Sequence, residues 1–117
     1  MLKLPKWEEG RQGTGYEKLQ LLNRWKYFSP RKWDLYLLRY RVGAGIPEHT
    51  DPLPQHKHYR LNIYLWNAEE GGKPHHDGVI FHNRFFTLFR PDLYKHSVST
   101  VTKGVRYVLS FGFSKRV

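Results

Sequence analysis

The chain of 117 residues contains no cysteine. That absence excludes disulfides, zinc–cysteine sites and thiol nucleophiles, and leaves His, Asp and Glu as metal ligands. Long apolar runs are missing too. No stretch approaches the roughly 20 residues that a membrane span requires, and the opening Met1 to Trp7 is too polar for the apolar part of a secretory signal. The expectation is a soluble, cytoplasmic protein with no membrane partner. Acidic residues are scarce, with 10 Asp and Glu against 20 Lys and Arg and a formal net charge of +10. Such an excess concentrates phosphates around a protein and makes nucleic acid a partner to weigh. The positive residues are spread along the chain without a run of about five or six, so nucleic acid is not the favoured partner.

Aromatic residues, by contrast, are plentiful: four Trp, eight Tyr and seven Phe. A few large side chains let a short chain bury enough area to hold a core. The length suits one domain, because a second hydrophobic core would hardly fit. We expect a single domain over residues 1–117, with an N-terminal arm, 1–32, and a β core, 33–113. The stretch from Met1 to Pro30 is polar and mixed, with Gly10, Gly13 and Gly15 ahead of Leu19, Leu21 and Leu22. It reads as an irregular arm carrying one short helix or strand.

From Trp33 onward, short segments rich in Tyr, Phe, Val, Leu and Ile are divided by turn residues every eight to twelve positions or so, an all-β signal. The predicted strands are Trp33 to Arg41, Tyr59 to Trp66, Gly78 to His82, Arg84 to Phe89, His96 to Val101 and Val105 to Phe113. Between them lie turns such as Gly43-Ala44-Gly45, Glu70-Gly71-Gly72 and Lys103-Gly104. The fold class is all-β with at most minor α content, a sandwich or barrel of antiparallel strands.

His49-Thr50-Asp51 places two ligand types two residues apart, so that on an extended backbone they project from one face. A second such tripeptide, His75-His76-Asp77, is its rival. The last segment adds a third ligand. Thr102-Lys103-Gly104 predicts a three-residue hairpin loop with glycine in the left-handed position. On that register Val101 faces Val105, Thr100 faces Arg106 and His96 faces Ser110. His96 and Arg106 then share a face, roughly 13 Å apart at about 3.3 Å per residue. An extended arginine and a five-carbon dicarboxylate on a metal at His96 would span that gap. His49, Asp51 and His96 would form a 2-His-1-carboxylate facial triad, which holds Fe(II) and leaves three positions open for a bidentate co-substrate and O2. The alternative is that His96 ends a strand at the surface and Asp51 caps a turn.

From Tyr40 to Phe113 the chain resembles the Fe(II)/2-oxoglutarate-dependent dioxygenases, in particular the prolyl-hydroxylase-like branch. Tyr40-Arg41-Val42-Gly43-Ala44-Gly45 is similar to the family's tyrosine and glycine lead-in to its HxD motif. Arg60 to Leu65 with Glu69-Glu70-Gly71-Gly72 is similar to its central strand and following turn. His96-Ser97-Val98 through Val101-Thr102-Lys103-Gly104-Val105-Arg106 resembles its distal histidine, with the co-substrate arginine ten positions on. The resemblance implies a double-stranded β-helix, a jelly-roll related to the cupins. It also implies iron ligands His49, Asp51 and His96, and Arg106 on the C5 carboxylate of 2-oxoglutarate, for which a guanidinium fork is suited. It puts Tyr64 and Tyr40 in the co-substrate pocket; the alternative for each is an aromatic packed in the barrel with its hydroxyl at the rim.

Arg60 and Asn62 share a face with Tyr64 by alternation. If all three point inward, the arginine needs polar partners, because a buried unpaired charge is expensive. Arg60-Leu61-Asn62 is also similar to the aspartyl-hydroxylase branch, where an arginine at this place touches the co-substrate; the alternative is a surface position. His56, His58, His75, His76 and His82 read as loop or rim residues, one of them a candidate for substrate contact. The rival tripeptide lacks the tyrosine and glycine lead-in.

The implied reaction consumes 2-oxoglutarate and O2, releases succinate and CO2, and hydroxylates a C–H bond of an unidentified substrate. The nucleic-acid demethylase branch carries a second arginine six residues after the first, where this chain has Gly112. A peptidyl, prolyl-like substrate is therefore favoured over a nucleic-acid base, and a small molecule stays open. Two other readings remain: a jelly-roll binding module without catalysis, and a nucleic-acid-binding β-barrel with aromatic stacking platforms.

Overall fold

The structure, a computed structural model, describes residues 6–10, 14–24, 31–52 and 54–116. The β-rich sequence folds into ten strands: β1 Trp7–Glu9, β2 Glu17–Arg24, β3 Arg31–Tyr40, β4 Ile46–His49, β5 His56–Trp66, β6 Pro74–His76, β7 Phe81–His82, β8 Phe86–Phe89, β9 His96–Val98 and β10 Arg106–Arg116. No helix occurs among the described residues, so the minor α content allowed by the sequence is not found there. The strands make two antiparallel sheets. The larger runs β1-β2-β3-β10-β5-β8-β7 and the smaller β4-β9-β6. This arrangement is consistent with a jelly-roll-like fold, and the described strands do not join into one closed barrel.

Strand β10 is central, pairing with β3 on one side and β5 on the other. Its burial alternates residue by residue: Arg106, Val108, Ser110, Gly112 and Ser114 are buried, and the residues between them are not. The inward row is thus small or polar, while Leu109, Phe111 and Phe113 lie on the outer face. The apolar core sits toward one end, where Tyr40, Ala44, Val101 and Val108 are buried and Leu38, Ile46, Tyr64 and Val98 pack against them.

Two expectations are corrected. The arm carries more than the single short helix or strand expected of it: β1 and β2 both extend the large sheet, with Leu19 opposite Leu37. Arg39 fixes this edge by donating to both oxygens of Glu17, at 3.0 and 2.9 Å. Second, His96 to Phe113 is not a hairpin. Strand β9 belongs to the small sheet, between β4 and β6, whereas Ser110 faces Tyr36 and Asn62 in the large one. The cause lies in the backbone of the connection. Val101 N donates to Ala44 O (2.9 Å), Gly43 N to Val101 O (2.8 Å) and Thr102 N to Glu70 O (3.0 Å). Two neighbouring turns therefore use the groups that a hairpin ladder would need. Gly104 does adopt the left-handed conformation, with φ of 86°, but it serves a crossing between sheets.

Boundaries also shift. The predicted strands at Gly78 to His82, Arg84 to Phe89 and His96 to Val101 shorten to β7, β8 and β9, and β4 and β6 are additional.

Gly71 and Gly43 both have positive φ, 74° and 93°. A Cβ on Gly71 would lie 2.0 Å from the Thr100 carbonyl oxygen, and one on Gly43 would meet nothing within 4 Å. Alanine strains the backbone at either site, but only Gly71→Ala forces two chain segments apart. We expect Gly71→Ala to be less stable than Gly43→Ala by about 1–3 kcal/mol, measured by urea unfolding of the two variants side by side.

Candidate functional site

The small sheet sets three histidines in a row. His96 in β9 has His49 of β4 as its partner on one side and His76 of β6 on the other. A bulge in β4 makes this possible: Ile46 faces Val98 and His49 faces His96, so Pro47 and Glu48 together oppose Ser97. The extra residue lets Ile46 and His49, three apart, both line one cavity of about 330 Å³ between the sheets. Asp51 follows β4, and its N–H donates to Pro91 O at 2.8 Å.

At this end of the cavity His49, Asp51 and His96 present ligand atoms that all lie within 4.8 Å of one another. Asp51 Oδ2 is 3.4 Å from His49 Nε2 and 3.2 Å from His96 Nε2. The far ring nitrogens are fixed by the backbone: His49 Nδ1 donates to Pro47 O at 2.7 Å and His96 Nδ1 to Tyr94 O at 3.1 Å. A carbonyl only accepts, so Nδ1 carries the proton and, in the neutral ring, Nε2 turns its lone pair toward Asp51. Hydrogen bonds of this kind, made by the far ring nitrogen, orient metal-ligating histidines. A divalent cation between the three groups would satisfy two imidazole lone pairs and a carboxylate at once, so the residues present fit a metal.

The rival tripeptide is divided between two faces. His76 lines the cavity, whereas His75 and Asp77 lie outside with Glu48 in a second, wholly exposed group. Lys95 Nζ, 4.0 Å from Glu48, already brings a cation to that group.

Arg106 lines the same cavity as the His-Asp-His group and is only 2% exposed. Burial pushes its pKa down, and the groups that act against burial are the tyrosines Tyr40 and Tyr64, not a carboxylate. Its guanidinium lies 4.7 Å from the Tyr40 ring centre and 5.5 Å from that of Tyr64. Tyr40 is buried, stacks on Tyr16 at 5.2 Å, and has its hydroxyl pKa pushed up to about 12, chiefly by that burial. Tyr64 bonds through its hydroxyl to Thr87, which also meets His82 Nδ1 at 2.9 Å. Tyr64 therefore flanks Arg106 without lining the cavity.

Between the two ends runs a polar band. Arg60 donates through Nη1 to Ser110 Oγ (2.7 Å) and through Nη2 to both oxygens of Asp34 (3.0 and 3.1 Å), and Ser110 Oγ donates to Asn62 Oδ1 (2.6 Å). Arg60 and Asn62 thus face inward, and the partner that the arginine requires is Asp34. Gly112 makes room for this pair, since a Cβ there would lie 2.2 Å from Arg60 Nη2 and 2.8 Å from Asp34 Oδ1.

Sequence reasoning did not single out Asp34, Tyr36, Tyr16, Lys18 or Phe89 for this cavity, which all of them line. Alternation along β3 could have placed Asp34 and Tyr36 beside Tyr40. No local signal marks Tyr16 or Lys18. His58 and His76 also line it. Burial lowers the pKa of both, with the Arg60 charge adding to the effect at His58, and His76 falls to about 4.

No family model and no curated protein matches this sequence. Among solved structures the chain is similar to the viral collagen prolyl hydroxylase of Paramecium bursaria Chlorella virus-1, in its 2OG complex. The identity is 17%, the coverage is 74% of this chain and 61% of that one, and the TM-score is 0.53. It is similar also to a chain in the complex of Rhodobacter sphaeroides SigE with the anti-sigma ChrR, at 16% identity, 92% and 47% coverage and a TM-score of 0.53. The chain spans less than two thirds of either neighbour, and at such identity the likeness is one of fold.

The ligand geometry predicts that His96→Ala and Asp51→Ala each abolish tight Fe(II) binding while leaving a folded β protein, because these side chains line a cavity and do not fill the core. Iron stoichiometry together with circular dichroism on both variants checks this. Retention of iron at wild-type affinity would refute the ligand set.

Proposed function

We propose that this chain is an Fe(II)- and 2-oxoglutarate-dependent oxygenase that hydroxylates a C–H bond, with a peptidyl, prolyl-like side chain as its favoured substrate. The observation that carries the proposal is one cavity lined both by a His-Asp-His donor set and by a buried guanidinium with no carboxylate partner among the described residues. A 2-oxo dicarboxylate suits both features: its oxo acid end is a chelator for a metal with open positions, and its far carboxylate is the missing counter-charge for Arg106.

Iron, when bound, supplies the activation of O2. The overall reaction takes a substrate C–H, 2-oxoglutarate and O2 to C–OH, succinate and CO2, with one oxygen atom entering the substrate and the other the new carboxylate of succinate. The residues of this chain bind and orient. His49, Asp51 and His96 hold the metal, and Arg106 over Tyr40 fixes the distal carboxylate. The apolar side chains of Ile46 and Val98 flank the path between them and favour the methylene groups of the co-substrate. Arg60 is engaged by Asp34 and Ser110, so Arg106 is the stronger choice for the carboxylate. The Asp34–Arg60 pair over Gly112 also stands where the demethylase branch would place its second arginine, which speaks against a nucleic-acid base as substrate.

The second reading is a jelly-roll module without catalysis, since a chain of the SigE–anti-sigma ChrR complex is as similar in fold as the hydroxylase is, with the same TM-score of 0.53. Such a module forms no succinate.

Arg106→Ala should spare metal binding yet weaken 2-oxoglutarate about 30-fold to several-thousand-fold, as expected when one partner of a desolvated charge pair is lost. Arg106→Lys should recover part of the affinity, since the charge returns without the fork. Co-substrate titrations of the three proteins, with succinate as the product readout, test this. Unchanged 2-oxoglutarate affinity in Arg106→Ala would contradict it.

A further inference from the structure

His76 belongs to the same row as His49 and His96 but is not one of the converging ligands. It lies on the opposite side of His96 from His49 and lines the same cavity as the donor set. Its ring is held firmly: Phe89 meets it edge-on at 4.3 Å between centres, and the His96 ring lies nearly parallel at 6.2 Å. His49 and His96 each spend Nδ1 on a backbone carbonyl. No hydrogen bond joins the His76 ring to another described residue, although the ring lines a polar cavity. An imidazole always offers at least one N–H donor, and here that donor is oriented by packing and left for a ligand. The next row toward Arg106, formed by Ile46, Val98 and Pro74, is apolar. On the small sheet, therefore, the polar groups next to His76 lie at the metal end of the cavity, while the Arg60 and Ser110 side chains of the facing sheet already bond to one another.

We propose that His76 is a positioning residue that donates a hydrogen bond to the 1-carboxylate of the 2-oxo acid, an inference that rests on the function proposed above. Arg106 and His76 would then grip opposite ends of one ligand, the first through charge and the second through a directed N–H. The ligand would be aligned before the substrate arrives.

The test uses wild type, His76→Ala, His76→Gln and Arg106→Ala, loaded anaerobically with Fe(II) and titrated calorimetrically with two probes. One is 2-oxoglutarate. The other is 4-oxopentanoate, which keeps the keto group and the distal carboxylate but has a methyl in place of the 1-carboxylate. His76→Ala should keep its iron and bind 2-oxoglutarate about 10-fold more weakly, as for loss of a hydrogen bond to a charged group. Its affinity for 4-oxopentanoate should equal that of wild type. His76→Gln, which restores a donor, should recover part of the loss, and Arg106→Ala should weaken both probes.

Equal 2-oxoglutarate affinity in wild type and His76→Ala would overturn the inference and leave the proposed function standing. Loss of iron from both His76→Ala and His76→Gln would make His76 a ligand and overturn it as well. If wild type binds iron but neither probe, the proposed function itself falls.

Discussion

A guanidinium that is 2% exposed is the constraint on which the rest of this structure turns. Removing such a charge from water carries a penalty of several kcal/mol unless a counter-charge or a full set of hydrogen bonds compensates. Among the described residues the other buried or half-buried arginines have their carboxylates, Arg60 with Asp34, Arg90 with Asp92 and Arg39 with Glu17. Arg106 has the rings of two tyrosines and a side-chain hydrogen bond with Tyr40 instead. Ring quadrupoles attract a cation but do not neutralise it. On the proposed function a carboxylate of the ligand would supply the counter-charge, and a guanidinium held in place in advance would lower the cost of ordering on binding.

The surrounding β-structure keeps room for that ligand. In an ordinary half-buried strand the large apolar side chains face inward. In β10 they face outward, and the inward row of Val108, Ser110, Gly112 and Ser114 is small. From that strand Arg106 and Ser110 line the cavity, and the polar band of Arg60, Asp34, Ser110 and Asn62 keeps this wall rigid. The small sheet supplies the opposite wall with its line of histidines.

Much of this was legible in the sequence because period-two alternation survives any error of topology. The strand from Arg106 onward, its even-numbered inner face, the inward set of Arg60, Asn62 and Tyr64, and the left-handed Gly104 all follow from local rules. The pairing partners did not follow. A glycine in a three-residue connection is equally good for a hairpin and for a crossing between sheets. What decides between them is the hydrogen bonding of Val101 and Thr102 with the turns at Ala44 and Glu70, far away in sequence. His96 and Arg106 do reach the same cavity, but from facing sheets and not along one ladder. His76 was read as a rim residue because nothing local shows that β6 pairs with β9. The strands of the arm were obscured because glycines and charges outnumber the few leucines that dock Leu19 against Leu37.

The central claim is that the His-Asp-His group and Arg106 form the two ends of one binding site. The most direct measurement is an anaerobic titration of the Fe(II)-loaded wild-type protein with 2-oxoglutarate, followed by visible absorption. The account predicts a metal-to-ligand charge-transfer band that grows to saturation at one equivalent of co-substrate. Iron that binds to His49, Asp51 and His96 but gives no such band at any 2-oxoglutarate concentration would contradict it.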